Sequence, residues 1–449
     1  MEGIPLSIFQ KLNTRLEEQQ LQDQPTDYLD QLFEHYKERL LKESNLEQLI
    51  QLPAYQKSKT IEKLVFEMLV EEKIIITEQD KAKLLTMILN DSVGYGPLEP
   101  LLKNEEITEI MVNGPSEIYI ERNGTISQAQ ITFKNNEHIR NIIERIVAPI
   151  GRRIDESSPL VDGRLEDGSR INAAIPPVSV KGPVLTIRKF RKDPYTIEDL
   201  INFHTMTVPM ARFLEAAMAS KLNVIISGGT GSGKTTLLNV VSAGIPLGER
   251  IITIEDSAEL RLNRKNVVSL EARPANMEGT GEISIRQLVR NALRMRPDRI
   301  IVGEVRGAEA MDMLQAMNTG HEGSLTTIHA NNPNDAMSRI EAMILMGNAS
   351  MTAEVVRSFI ASAVQLVVQT LRLQDGSRKI VSIAEAVPQE RGFVLRDIFR
   401  FRQYGVEKDG KVVGHFEPTG VVPLCLEKMK AFGQTLPEDY FSREDVAWS

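Results

Sequence analysis

Gly228-Gly-Thr-Gly-Ser-Gly-Lys-Thr235 constrains this 449-residue chain more than any other stretch. It fits G-x-x-x-x-G-K-[ST], with Gly228, Gly233, Lys234 and Thr235 at the defining positions and Gly229, Thr230, Gly231 and Ser232 between them. Asn223-Val-Ile-Ile-Ser227 before it is an apolar run of strand type, and Thr236-Leu-Leu-Asn-Val-Val-Ser-Ala243 behind it has helical spacing. A strand that turns through glycines into a helix N-terminus aims several backbone N–H groups at one point, where the helix dipole adds partial positive charge. Such a loop cradles phosphate through residues 228–236. Lys234 reaches the outer phosphates, and the Thr235 hydroxyl ligates Mg²⁺. A nucleoside triphosphate with its Mg²⁺ is the expected ligand.

The chain is too long for one compact core, so two or three domains are expected. A net charge of -8 argues against a sequence-independent grip on nucleic acid. Cys425 is the sole cysteine, which excludes an internal disulfide and a cysteine zinc module. The start of the sequence has no basic segment followed by an apolar one, and no apolar run approaches the length of a membrane span. These features read as a cytoplasmic protein, free to dock onto a membrane complex.

Residues 1–90 are rich in Leu, Glu, Gln and Lys and read as a helical domain. Capping patterns recur at Ser44-Asn-Leu-Glu47 and Thr77-Glu-Gln-Asp80, and Pro53 separates two helices. With 17 acidic and 11 basic residues, positions 1–97 carry most of the negative charge, as either a solvated surface or a docking module. Residues 91–190 read as an α+β domain. Strands are expected at Ile107–Val112, Glu117–Glu121 and Ser127–Phe133, with a hairpin turn at Asn123-Gly124 and an amphipathic helix over Asn136–Ile150. An arginine-rich region follows, with Arg152, Arg153, Arg164, Arg170 and Arg188, and residues 191–195 read as a linker. From 196 to 449, helices alternate with short apolar strands at Ile251–Glu255, Arg299–Val302 and Leu325–His329, the pattern of an α/β core with a mostly parallel sheet. Beyond residue 375 a less regular, β-rich and helical extension is expected, with turns at Asp375-Gly376, Asp409-Gly410 and Pro418-Thr-Gly420.

A phosphate loop identifies a nucleotide site, not a reaction. Hydrolysis also needs a carboxylate to orient and deprotonate water, and oxygen groups to hold Mg²⁺. Glu255-Asp256 and Glu304 end two of the apolar strands, and in an open parallel sheet such ends face the crevice that holds the phosphate loop. His321 and His329 bracket a third strand. They read as sensors of the terminal phosphate or as a structural polar pair; no local spacing completes a zinc set.

At these residues the chain resembles the type II/type IV secretion ATPases. It has their phosphate loop, an acidic box (Thr253-Ile-Glu-Asp-Ser-Ala-Glu259), a Walker B-like Gly303-Glu304 and a histidine box from Gly320-His321 through His329, in the right order. It is more similar still to the branch that assembles Flp/Tad pili (the CpaF or TadA type). That likeness rests on Gly94-Tyr-Gly-Pro-Leu-Glu-Pro-Leu101, Ile110-Met-Val-Asn-Gly114, Gly151-Arg-Arg-Ile-Asp-Glu-Ser-Ser158, Leu270-Glu-Ala-Arg-Pro274 and Ala292-Leu-Arg-Met-Arg-Pro-Asp298. The resemblance covers residues 90–440; the first 90 match only in being helical.

The resemblance implies a RecA-like ATPase domain preceded by an α+β, PAS-like domain, in a homo-hexameric ring whose sites lie where the two domains meet. Arginines of the first domain would reach the phosphates, at positions matching Arg170 and Arg188, with Arg164 a weaker match. Glu304 would be the general base, Glu255 and Asp256 would polarise water or metal, and His321 and His329 would sense the γ-phosphate. Two departures stand out. The four-cysteine zinc module of many type II relatives is absent. The Walker B strand ends in Gly303-Glu304 rather than Asp, leaving Mg²⁺ to Thr235 with either Asp256 or waters. The implied function is a cytoplasmic motor, peripheral at the inner face of the cell membrane. It would couple ATP hydrolysis to domain closure about the linker, acting on an inner-membrane platform protein and, through it, on a pilin. The rivals are a conjugation or type IV secretion ATPase and, in another class, an ATP-gated binding switch without turnover.

Overall fold

The computed structural model describes residues 25–43, 54–122, 124–190, 194–273, 275, 280–348 and 350–442. The Ser44–Glu47 cap, Pro53, Asn123, Pro274 and most of the expected linker lie outside them. The chain forms two compact units, one ending at Phe190 and the other beginning at Arg191.

In the first unit, helices Pro25–Glu43, Ala54–Glu71 and Glu78–Ser92 close around Leu32, Tyr36, Val65, Leu84 and Ile88. The third starts where its capping pattern predicts, with Thr77 Oγ1 accepting the Asp80 N–H at 3.1 Å. A six-stranded antiparallel sheet follows, built from β1 (Ile107–Val112), β2 (Ile118–Arg122), β3 (Thr125–Gln128), β4 (Leu160–Arg164), β5 (Arg170–Ala174) and β6 (Val184–Arg188), in the order β3-β2-β1-β6-β5-β4. Helix Asn136–Val147 lays Ile139, Ile142, Ile143 and Ile146 into the core beside this sheet, the stripe visible in the sequence.

Two elements end three residues or more short of expectation. The helix stops at Val147 instead of Ile150: Ala148 keeps helical dihedrals and its N–H still bonds the Glu144 carbonyl at 2.9 Å, but Pro149 has no N–H with which to continue the ladder. The strand expected over Ser127–Phe133 ends at Gln128: the chain then leaves the ladder so that Phe133 can bury its ring, its N–H bonding to the Pro115 carbonyl. The helices are tied to the α+β part through Asp91, which pairs with Lys37 and with His138 Nε2 at 3.3 Å, while Arg145 donates to the Asp91 and Gly94 carbonyls, each at 2.6 Å. Burial alone would raise the Asp91 pKa; the hydrogen bonds from His138 and Lys37 override it and bring it down to about 2.

The second unit is built on one nine-stranded sheet. Its strands are β7 (Val224–Gly228), β8 (Ile251–Glu255), β9 (Val267–Glu271), β10 (Arg299–Val302), β11 (Leu325–Ile328), β12 (Leu366–Arg372), β13 (Arg378–Gln389), β14 (Gly392–Val406) and β15 (Val412–Pro418), in the order β15-β14-β13-β12-β7-β11-β10-β8-β9. From β12 to β9 neighbours run parallel. Helices cover both faces: Met210, Phe213, Leu237 and Leu238 belong to one core, and Ile285, Val289, Leu314, Ile340 and Ile360 to the other. Buried on both sides, the central strands read as unbroken apolar runs. This is the expected α/β, mostly parallel architecture. The C-terminal part is β-rich and helical as expected, with helix Leu426–Ala431, but its strands are regular: β13, β14 and β15 continue the same sheet in antiparallel pairing and include its two longest strands. Among the described residues, no helix is long and apolar enough to cross a membrane.

Candidate nucleotide site

Strand β7 delivers Gly228 into a tight loop that enters helix Lys234–Ser242. Gly233 precedes that helix with φ +92°, a conformation other residues adopt at a cost. Gly228 is needed for a different reason: a Cβ there would stand 2.5 Å from Thr370 O, Thr370 Oγ1 and Ser232 Oγ. The loop is braced from β12 and β13. Thr370 Oγ1 lies 2.9 Å from Ser232 Oγ and donates to the Ser227 carbonyl at 3.1 Å, while Arg378 Nε donates to the Gly231 carbonyl at 2.9 Å. Lys234 is buried and folds back to donate to Gly229 O at 2.9 Å. Space is open beside Gly229, Thr230 is exposed, and Thr235 and Thr236 stand half-buried on the first helical turn.

The parallel register brings the predicted acids to this edge. Val302 pairs with Ile254 and with Thr326, and Ile328 pairs with Ser227, so Asp256, Glu304 and His329 leave their strands beside the loop. They form a continuous chain of contacts. Lys234 Nζ lies 3.4 Å from the His329 ring nitrogens, and His329 Nε2 lies 3.2 Å from Glu304 Oε1. Arg306 Nη2 then donates to Glu304 Oε2 at 2.9 Å, and its Nη1 lies 3.3 Å from Asp256 Oδ2. Burial and the Lys234 ammonium hold the His329 pKa below its ordinary value, and the hydrogen bond to Glu304 raises that of Arg306. Glu255 is buried, its carboxylate accepting the N–H groups of Glu259 at 2.8 Å and Leu260 at 3.2 Å; it folds the segment after β8.

His321 is a correction. Its Nδ1 lies 2.9 Å from the Pro297 carbonyl, just before β10, and it precedes β11 whereas His329 follows it. A strand runs straight through the sheet, so residues at its two ends emerge on opposite edges. His321 therefore lies at the edge away from the phosphate loop and cannot sense a phosphate bound there.

In the first unit, Arg170 is the cross-strand partner of both Arg164 and Arg188, and Arg188 is that of Glu109, so the three arginines form one row across β4, β5 and β6. Burial raises the pKa of Glu109, with Arg188 working against it.

Three contributors escaped the sequence reading. Arg306 follows Glu304 by two residues and could have been found from the motif. Thr370 and Arg378 could not: they lie well over a hundred residues from the loop they brace.

A family model described as "Type II/IV secretion system protein" matches residues 91–403. The chain belongs to the type II/IV secretion family. This secretion ATPase family member is similar to a Mycobacterium tuberculosis protein with a provisional conjugal transfer name, 38% identical over 306 residues, covering 67% of this chain and 86% of that one. It is similar to the conjugal transfer protein TrbB of Rhizobium radiobacter, 34% identical over 65% of this chain and 87% of that one. Among solved structures, the VirB11 ATPase of the Brucella suis type IV secretion system, in complex with sulphate, aligns with 64% of this chain and 91% of its own, at 29% identity and a TM-score of 0.35.

Proposed function

We propose that this secretion-family protein is an ATP hydrolase whose turnover drives a membrane-embedded machine. The observation that carries this is the contact chain Lys234–His329–Glu304–Arg306–Asp256, which joins the phosphate loop to two acidic strand ends on one edge of the sheet. The loop amides and Lys234 hold the β- and γ-phosphates. Glu304 takes the proton of the attacking water, and its carboxylate keeps lone pairs for that task beyond those used by His329 and Arg306. Neutral His329 adds no charge beside Lys234, and its N–H passes from Glu304 to a γ-phosphate oxygen when nucleotide arrives, which is the sensing step. Glu255 positions the Asp256 segment. The resemblance assigns Arg170 and Arg188 the task of neutralising a transferring phosphoryl group, that of the same chain or of a neighbouring copy.

Mg²⁺ fits the donors on hand. The Thr235 hydroxyl and the exposed Asp256 carboxylate are hard oxygen ligands, and among the described residues no cluster of three His, Cys, Asp or Glu would hold a metal alone, as suits an ion that arrives on the phosphates and keeps several waters. Bound there, it would neutralise phosphate charge. Glu304→Gln tests the reading: a fluorescent ATP analogue should bind as to the wild type, while turnover falls by about 10²–10⁴-fold. Preserved turnover would sink the assignment.

The Flp/Tad-type stretches support pilus assembly, by a homo-hexamer acting on an inner-membrane platform protein. The conjugal transfer and type IV secretion names of the relatives favour a second reading, a conjugation or secretion motor. Deleting the gene and scoring surface pili and DNA transfer separates them: lost pili with intact transfer supports the first, the converse the second.

A further inference from the structure

We propose that Arg306 is the positioning residue of the Glu304 base, holding its carboxylate in place from an anchor on Asp256. This rests on the hydrolytic reading above. Asp256 and Glu304 each stand two residues beyond the paired Ile254 and Val302, at the ends of neighbouring parallel strands. Adjacent strands lie roughly 5 Å apart, so two carboxylates at matched positions repel each other and splay unless a cation lies between them. The Arg306 guanidinium is that cation, taking one oxygen from each acid at 2.9 and 3.3 Å. A planar fork can span two acceptors and fix their directions, whereas an ammonium supplies a point charge without that geometry. The backbone under it is fixed as well: the N–H groups of Arg306 and Gly307 both donate to Glu309 Oε1, at 2.6 and 2.8 Å. Glu304 Oε2 is thereby held by Arg306 while Oε1 faces His329, and the carboxylate keeps one orientation toward the water it must activate.

The test compares steady-state turnover of the full chain with its Arg306→Gln, Arg306→Lys, Glu304→Gln and Glu304→Gln/Arg306→Gln variants, with nucleotide affinity measured separately by titration of a fluorescent ADP analogue. Arg306→Gln should lower kcat by roughly 10- to 100-fold while KM and ADP affinity stay within about threefold, and Arg306→Lys should recover part of the loss. The double variant should be no slower than Glu304→Gln, because Arg306 acts through that carboxylate. The proposal is overturned by an unchanged kcat in Arg306→Gln, by a loss confined to KM and ADP affinity, or by a double variant slower than Glu304→Gln by the full single-variant factor. In each of those cases the wild type still hydrolyses ATP and the hydrolytic reading stands. A wild type that binds nucleotide without turnover removes both.

Discussion

At neutral pH the His329 imidazole carries no charge, since burial and the nearby Lys234 ammonium both disfavour its protonated form. Turnover limited by this group should therefore stay flat from pH 8 down to the ordinary histidine range near 6.5, and fall only at lower pH, where a second positive charge would form beside Lys234. A kcat–pH profile checks this; a fall beginning above pH 7 would contradict it. His321 gives the contrast. His321→Ala should leave kcat unchanged and lower unfolding stability by about 1 kcal/mol, the worth of its bond to the Pro297 carbonyl, read by denaturant titration beside the activity assay. In the sequence the two histidines look like a pair. The strand between them was legible too, and counting its direction would have separated them. Arg378 is another matter, because its value lies in a contact with Gly231 that no local pattern encodes.

For the elements, legibility follows burial. Strands β7, β8 and β10 are apolar on both faces and announce themselves; the phosphate loop between β7 and its helix was readable residue by residue. Strands β13 and β14 were not, for a physical reason. Irregularities in register at Ile383/Ala384 and Gln403/Gly405 shift the alternation of inward and outward residues, so a period of two cannot be followed along either strand. These strands matter to the site nonetheless, since the phosphate loop rests on the β12–β13 pair. Gly228→Ala tests that seat: its new methyl would press on the Thr370 backbone carbonyl as well as two hydroxyls, so the loop must shift. Nucleotide binding should be lost, with about 1–3 kcal/mol of stability, as measured by nucleotide titration and thermal unfolding.

Across the whole molecule, the two units have separate sources of stability. In the first, the depressed Asp91 pKa makes its ion network a pH-dependent tie. The stabilisation is complete above the unfolded carboxyl value near 4 and is lost as pH falls through about 2, a contribution of about 2–3 kcal/mol. Asp91→Asn should destabilise the full chain at pH 7 and flatten its acid unfolding between those limits, followed by circular dichroism. The second unit has a different character. Strand β12 pairs with β7 in parallel and with β13 antiparallel, so a single hydrogen-bonded ladder runs from β9 to β15 without a seam. In mechanical terms this is a beam, stiff along its length and anchored at mid-span by the phosphate loop. Bending that beam would break whole rows of ladder bonds, so the compliance of this unit resides in its loops, and the sheet carries the load.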